Sequence, residues 1–178
     1  MPCSEGVFPR RAALTLTAVG LLSGPAVAGT DPAASAIEAF NQWCFKAGQT
    51  EAQARSNMTE TAGDPLPFQL TFWDDSLEPR PQGAPRGVER RCEVAFPGDE
   101  TEAAIAALRQ QMATPPVFGH AIPLPDTHAE EPGTALIEGR ELLRGRVAVV
   151  HVGTRNHDAT QETFMAVDRL YDGLGLGE

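Results

Sequence analysis

Hydrophobic and polar positions follow three different patterns along this chain. From Ala12 to Val27 there is no charged side chain; beyond residue 31 apolar positions recur at helical spacing in some stretches and at every second residue in others. In "DPAASAIEAFNQWCFKAG", Asp31 is placed to cap a helix and Pro32 to open it, and Ile37, Phe40, Cys44 and Ala47 then share one helical face. "EAQARSNM" continues helical structure after Gly48. "PFQLTFW" sets Phe68, Leu70 and Phe72 against Gln69, Thr71 and Trp73, and "ERRCEVAFPG" sets Cys92, Val94 and Phe96 against Arg91, Glu93 and Ala95. Both read as strands, and they pair naturally with each other. "GDETEAAIAALRQQMA" carries Ala104, Ile105, Leu108 and Met112 on one helical face behind a capping-box-like Asp99 and Glu102.

Further on, "TALIEGRELL" and "RVAVVHVGT" predict a hairpin joined at Arg144-Gly145, and the second strand, apolar on both faces, predicts a central position. "ETFMAVDRLY" fits either a third strand after the turn "RNHDA" or a closing helix, because Phe164, Val167, Leu170 and Tyr171 also suit helical spacing; the strand is preferred. Two proline-rich segments interrupt these elements. Residues 74–87 hold three prolines and two glycines, and residues 115–132 are too proline-rich for a helix and read as an extended surface segment. Together the elements predict one α+β domain over residues 29–172, an antiparallel sheet of about five strands with two or more helices packed on one face. Residues 173–178, "GLGLGE", read as a flexible tail.

The uncharged run changes the picture of where this domain works. Arg10 and Arg11 precede it, Gly24-Pro25 interrupt it, and Ala26-Val27-Ala28 end it; basic, apolar, then small-x-small is the order of a secretory signal. The run is too short and too broken for a membrane span of about 20 residues. Cleavage after Ala28 is expected, leaving no stable membrane anchor and a periplasmic or secreted body. The paired arginines resemble a twin-arginine signal without its usual large apolar residue and lysine, so the export route stays open. Loss of residues 1–28 also removes Glu5 and moves the formal charge from −10 to −11. Such a surface repels phosphate backbones, which excludes nucleic acid as a partner and leaves an unidentified small molecule or protein.

Cleavage removes Cys3 and leaves an even pair, Cys44 and Cys92, both facing the predicted core. In an oxidising compartment this pair predicts a disulfide from helix to sheet. The order of signal, helix with "FNQWC" and later strand with "RRCEV" resembles small exported bacterial proteins of unassigned function, some of which carry a cysteine in the leading mature helix. The resemblance spans the first half of the mature chain; it implies export and an α+β domain and no catalytic residue.

Motifs for a nucleophile elbow, a phosphate loop or a zinc protease are absent, and none of Ser35, Ser56 and Ser76 has a glycine-framed setting. His120, Asp126 and His128 offer imidazole and carboxylate ligands that can converge on a divalent cation, but their spacing matches no metal motif, so a solvated acidic loop without metal or cofactor is the expectation. His151 shares the Val147 and Val149 face of the central strand, where a neutral histidine bonded to backbone or solvent is usual. Arg90, Arg140, Arg144 and Arg146 either gather into an anion-binding patch, if their strands are neighbours, or balance the acidic surface. Asp74 and Asp75 point to opposite faces of a strand and are not expected to share a proton. No catalytic residue is assigned. The expected function is that of an exported, disulfide-stabilised binding or accessory protein working through residues 74–87 and 115–132, with a small hydrolase or divalent-metal protein using the histidines as the alternative.

Overall fold

The computed structural model describes Met1 and residues 31–171; the expected signal segment and the tail 173–178 otherwise lie outside the described residues. Its centre is a six-stranded antiparallel sheet in the order β1-β2-β6-β5-β4-β3, built from β1 (Gln69–Asp74), β2 (Val88–Pro97), β3 (His120–Ile122), β4 (Thr134–Glu141), β5 (Val147–His157) and β6 (Thr160–Leu170). Helices α1 (Pro32–Ala39), α2 (Glu51–Ala62) and α3 (Thr101–Ala113) pack on it, so the chain is α+β. The strand preferred for residues 162–171 is β6, inserted between β2 and β5. The sixth strand, β3, lies in the segment read as merely extended; three residues at a sheet edge carry too little alternation to be seen in sequence.

Local chemistry explains the starts of the helices. Asp31 accepts from the Ala33 amide and Pro32 opens α1, as expected. The last turn of that helix widens into a π turn over Phe40–Cys44. Thr50 and Gln53 form a reciprocal capping box at α2. At α3 the expected box between Asp99 and Glu102 does not form. Glu100 occupies the cap position, while Asp99 accepts from the amide and hydroxyl of Thr101 two residues on. A local Asx-type turn outcompetes the box there.

The two faces of the sheet are covered differently. Phe72, Cys92, Val94, Phe96, Val150, Val152, Met165 and Val167 point toward the helices and, with Phe40, Met58 and Leu108, form the main core. Cys44 and Cys92 are joined by a disulfide across this interface, Cα to Cα 5.3 Å, which confirms the pairing read from the sequence. The opposite face carries a smaller apolar cluster of Trp73, Val88, Val147, Val149 and Leu170, with Ala84, Ile122, Leu124 and Ile137 against it. A bulge between Val88 and Arg90 turns Val88 to this second face although Arg90 and Cys92 face the helices. Among the described residues no helix covers the second face; the two proline-rich segments do. They meet where Gly87, at φ +78°, lies so close to Thr127 that a Cβ would stand 2.7 Å from its methyl group.

Candidate functional site

On this second face, alternation on three neighbouring strands gathers charged side chains. β2 contributes Arg91 and Glu93, β6 contributes Asp168 and Phe164, and β5 contributes His151 and Arg155. Register makes the pairs: Arg91 lies opposite Asp168 and Arg155 opposite Glu162. Asp168 is fully buried and accepts from Arg91 Nε at 2.7 Å and Arg91 Nη2 at 2.5 Å, a two-pronged contact that matches the guanidinium fork. His128 comes down from the second proline-rich segment and places Nε2 2.9 Å from Asp168 Oδ2, with its Nδ1 2.9 Å from the Thr127 hydroxyl. His151 Nε2 stands 3.6 Å from the same carboxylate oxygen, too far for a hydrogen bond, and is buried without a partner. Its ring meets Phe164 edge-on at 5.6 Å and lies 6.1 Å from the ring of His128.

Electrostatics fix the charge states of the floor. Burial alone would push the Asp168 carboxyl up, but the hydrogen bonds from Arg91 and His128, the nearby His151 and the charge of Arg91 outweigh it and hold the carboxyl well below the usual range. Burial likewise disfavours the Arg91 cation, yet its bonds to Asp168 and the charges of Asp168 and Glu93 leave its pKa raised. Arg155, half-exposed at the rim, bridges Glu93 and Glu162 at 2.6 Å each. Above this floor is a cleft of about 390 Å³. Pro85 lines it from the first proline-rich segment; Thr127, His128, Glu131 and Pro132 line it from the second. A cleft of similar size beside Leu66, Phe68 and Pro97 brings in His157 and Glu162 without a comparable buried network.

The residues read from sequence distribute unequally over this arrangement. His128 and His151 come together. His120 does not join them: it lies exposed on the edge strand β3 with Nε2 3.1 Å from Glu141. Asp126 is exposed in the loop. The proposed convergence of His120, Asp126 and His128 therefore fails, because Pro125 and His128 fold inward onto the sheet while the other two stay outside; residues 115–132 are not simply a solvated surface segment. Among the described residues, the one group of three such side chains with ligand atoms within 4.8 Å of one another is Asp74, Asp75 and Glu89. Those carboxylates are already paired: Asp74 and Glu89 with Arg169, and Asp75 with Arg80. Around Asp168 a cation would compete with Arg91 for the oxygen that both histidines approach.

Arg90 and Arg140 do not belong to this cleft. Arg90 Nη2 donates to the carbonyls of Cys44 and Lys46 at the end of the leading helix, and Arg140 donates to the carbonyls of Phe118 and Gly119 at 3.1 and 3.0 Å. Arg144 sits at φ 64° in the turn between β4 and β5. Sequence reasoning passed over Asp168, and it had set Arg91 and Glu93 on a polar outer face; the available signal was that like-parity positions of all three strands are charged. Comparison with known protein families, curated proteins and solved structures finds no match. Among the described residues no helix is long and apolar enough to cross a membrane.

Proposed function

We propose that the chain is an exported, disulfide-stapled binding protein, not an enzyme, that holds a small polar ligand in the cleft between its two proline-rich segments. Export rests on the leader pattern ending at Ala28 and fits a crosslink of the kind that persists in oxidising compartments. The observation that carries the binding reading is His151 Nε2, a buried nitrogen without a hydrogen bond at the edge of an otherwise paired network. Such an atom costs free energy unless something outside the chain satisfies it. A ligand group that can hydrogen-bond this nitrogen, in the cleft that Thr134 and Thr154 also line, answers that requirement.

One contact favours hydrolysis as a second reading. Thr127 Oγ1, His128 and Asp168 form a hydroxyl, imidazole and carboxylate in line. In that scheme His128 takes the Thr127 proton and Asp168 steadies the imidazolium. Binding is preferred because Asp168 is already neutralised by Arg91 on both oxygens, which weakens it as the partner of a second cation.

The test is thermal-shift screening of the purified protein against small polar compounds, alongside ester, peptide, glycoside and phosphate substrates. Binding predicts a rise in Tm for one ligand class that disappears in His151→Ala, with no turnover. Turnover abolished by Thr127→Ala or His128→Ala would replace this reading with the hydrolase.

A further inference from the structure

On the helix side of the sheet, below the disulfide, three arginines converge. Arg90 on β2 is in register with Arg169 on β6, Arg169 is in register with Ala148, and Arg146 lies two residues before Ala148 on the same face. All three line one pocket of about 100 Å³ whose other walls include Phe45, Phe118 and Leu142. Phe45 and Phe118 meet edge-to-face with centroids 4.6 Å apart. The charges here do not balance. Arg169 donates to Glu89 at 2.8 Å and to both oxygens of Asp74 at 3.1 and 3.2 Å. Arg90, besides the carbonyls of Cys44 and Lys46 that it serves through Nη2, faces the Asp74 carboxylate at 3.8 Å, and its Nε is buried without a hydrogen bond. Among the described residues Arg146 makes no ion pair and no side-chain hydrogen bond. With the neighbouring Asp75 taken up by Arg80, the two carboxylates of Asp74 and Glu89 are left to face three guanidinium groups. Burial first, and the charge of Arg169 second, bring the Arg90 pKa down to about 10 against the opposing pull of Asp74 and Glu89, which is the direction of a cation short of counter-charge.

We propose that this pocket binds a short-chain monocarboxylate, its carboxylate on Arg90 and Arg146 and its alkyl body against Phe45, Phe118 and Leu142. Size limits the class: a pocket of about 100 Å³ is well below the roughly 300 to 1,000 Å³ of sites for larger ligands, so only a small one fits. The walls limit it too. Phosphate or sulfate would turn charged oxygens toward two aromatic rings and a leucine, whereas a carboxylate presents its charge on one end alone. Guanidinium groups are suited to that planar head. This site lies across the sheet from the cleft lined by His128 and His151 and does not depend on it.

The experiment is calorimetric titration of the full chain with propionate, propionamide and inorganic phosphate, for the wild type, Arg146→Gln and His151→Ala. Saturable one-to-one binding of propionate is expected, with propionamide weaker by about tenfold or more for loss of a charge-assisted contact, and phosphate weaker by a similar factor because its charged oxygens face the apolar wall. Arg146→Gln should weaken propionate by about tenfold with an unchanged Tm, since the side chain is exposed and untied; His151→Ala should change nothing. Line broadening or shifts of Phe118 resonances on titration would place the acid in the pocket. Absence of saturation at millimolar propionate, equal binding of the amide, preference for phosphate, or indifference to Arg146→Gln each overturns the proposal.

Discussion

The two faces of the sheet solve the same covering problem with different chemistry. On the helix side, the π turn after α1, together with α2 and α3, lays Phe40, Met58 and Leu108 against Val94, Phe96, Val150 and Met165, and a disulfide ties that turn to the sheet. Apolar packing of this kind is non-directional and insensitive to pH. On the loop side, segments with almost no regular structure cover the sheet, and the centre of the face is an ionic network around Asp168. Loops have few apolar side chains to contribute, so the strands beneath them keep charged residues that can be buried only in pairs. The difference teaches that the second face is specified by partnership, not by area. Its contacts are polar, and the buried His151 Nε2 at the edge of the network is without a hydrogen bond, so a ligand entering the cleft would meet partnership chemistry there and not apolar packing.

The largest effect should come from the helix side. Replacing both Cys44 and Cys92 by alanine frees a loop of 48 residues, which on the chain-entropy account costs about 4 kcal/mol. Urea unfolding of the double variant against the oxidised protein measures it, and the loss should be the same at pH 4 and pH 7. Asp168→Asn is next, at about 3 kcal/mol at neutral pH, because it leaves the Arg91 cation buried without its partner. Here pH matters. The folded-state pKa of Asp168 lies below its unfolded value of about 4, so its contribution is complete above that pH and is lost as pH falls toward the folded pKa. The gap between wild type and Asp168→Asn should therefore narrow between about pH 4 and pH 3. A gap that does not change with pH would show that Asp168 is not held ionised, and the contrast between the faces would collapse.

Much of the helix side was readable from the chain, and little of the loop side was. Alternation around Cys92, Val94 and Phe96 survives in β2 because one face of that strand meets helices and the other meets charged neighbours. β6 is harder: Met165 and Val167 face the helices while Ala166 and Leu170 are covered on the other side, so its apolar positions run together and also fit a helical spacing. His128 and His151 stood out as candidates by residue type alone. Their common partner did not, since Asp168 meets them only once β6 is placed between β2 and β5, a fact of strand order and not of local pattern. The inward turn at Pro125 and His128 has no periodicity behind it, which is why the companion ligands His120 and Asp126 were grouped with a residue that folds away from them.

The smallest effect probes where the loop-side network meets water. Arg155 is 41% exposed, yet it touches two carboxylates that are 7% exposed, Glu93 and Glu162. Arg155→Gln should cost about 1 kcal/mol or less, because water can reach the carboxylates from the side the guanidinium vacates. Added salt tells the rim from the floor. At about 1 M ionic strength the screening length is about 3 Å, so an exposed pair loses most of its worth while a dry one does not. The difference between wild type and Arg155→Gln in denaturant unfolding should shrink markedly in high salt, and the Asp168→Asn difference should persist. If the Arg155→Gln loss were instead unaffected by salt, the rim would be as dry as the floor. The cleft would then be closed to a polar ligand entering from solvent, and the loop side would be a second core with unusual chemistry.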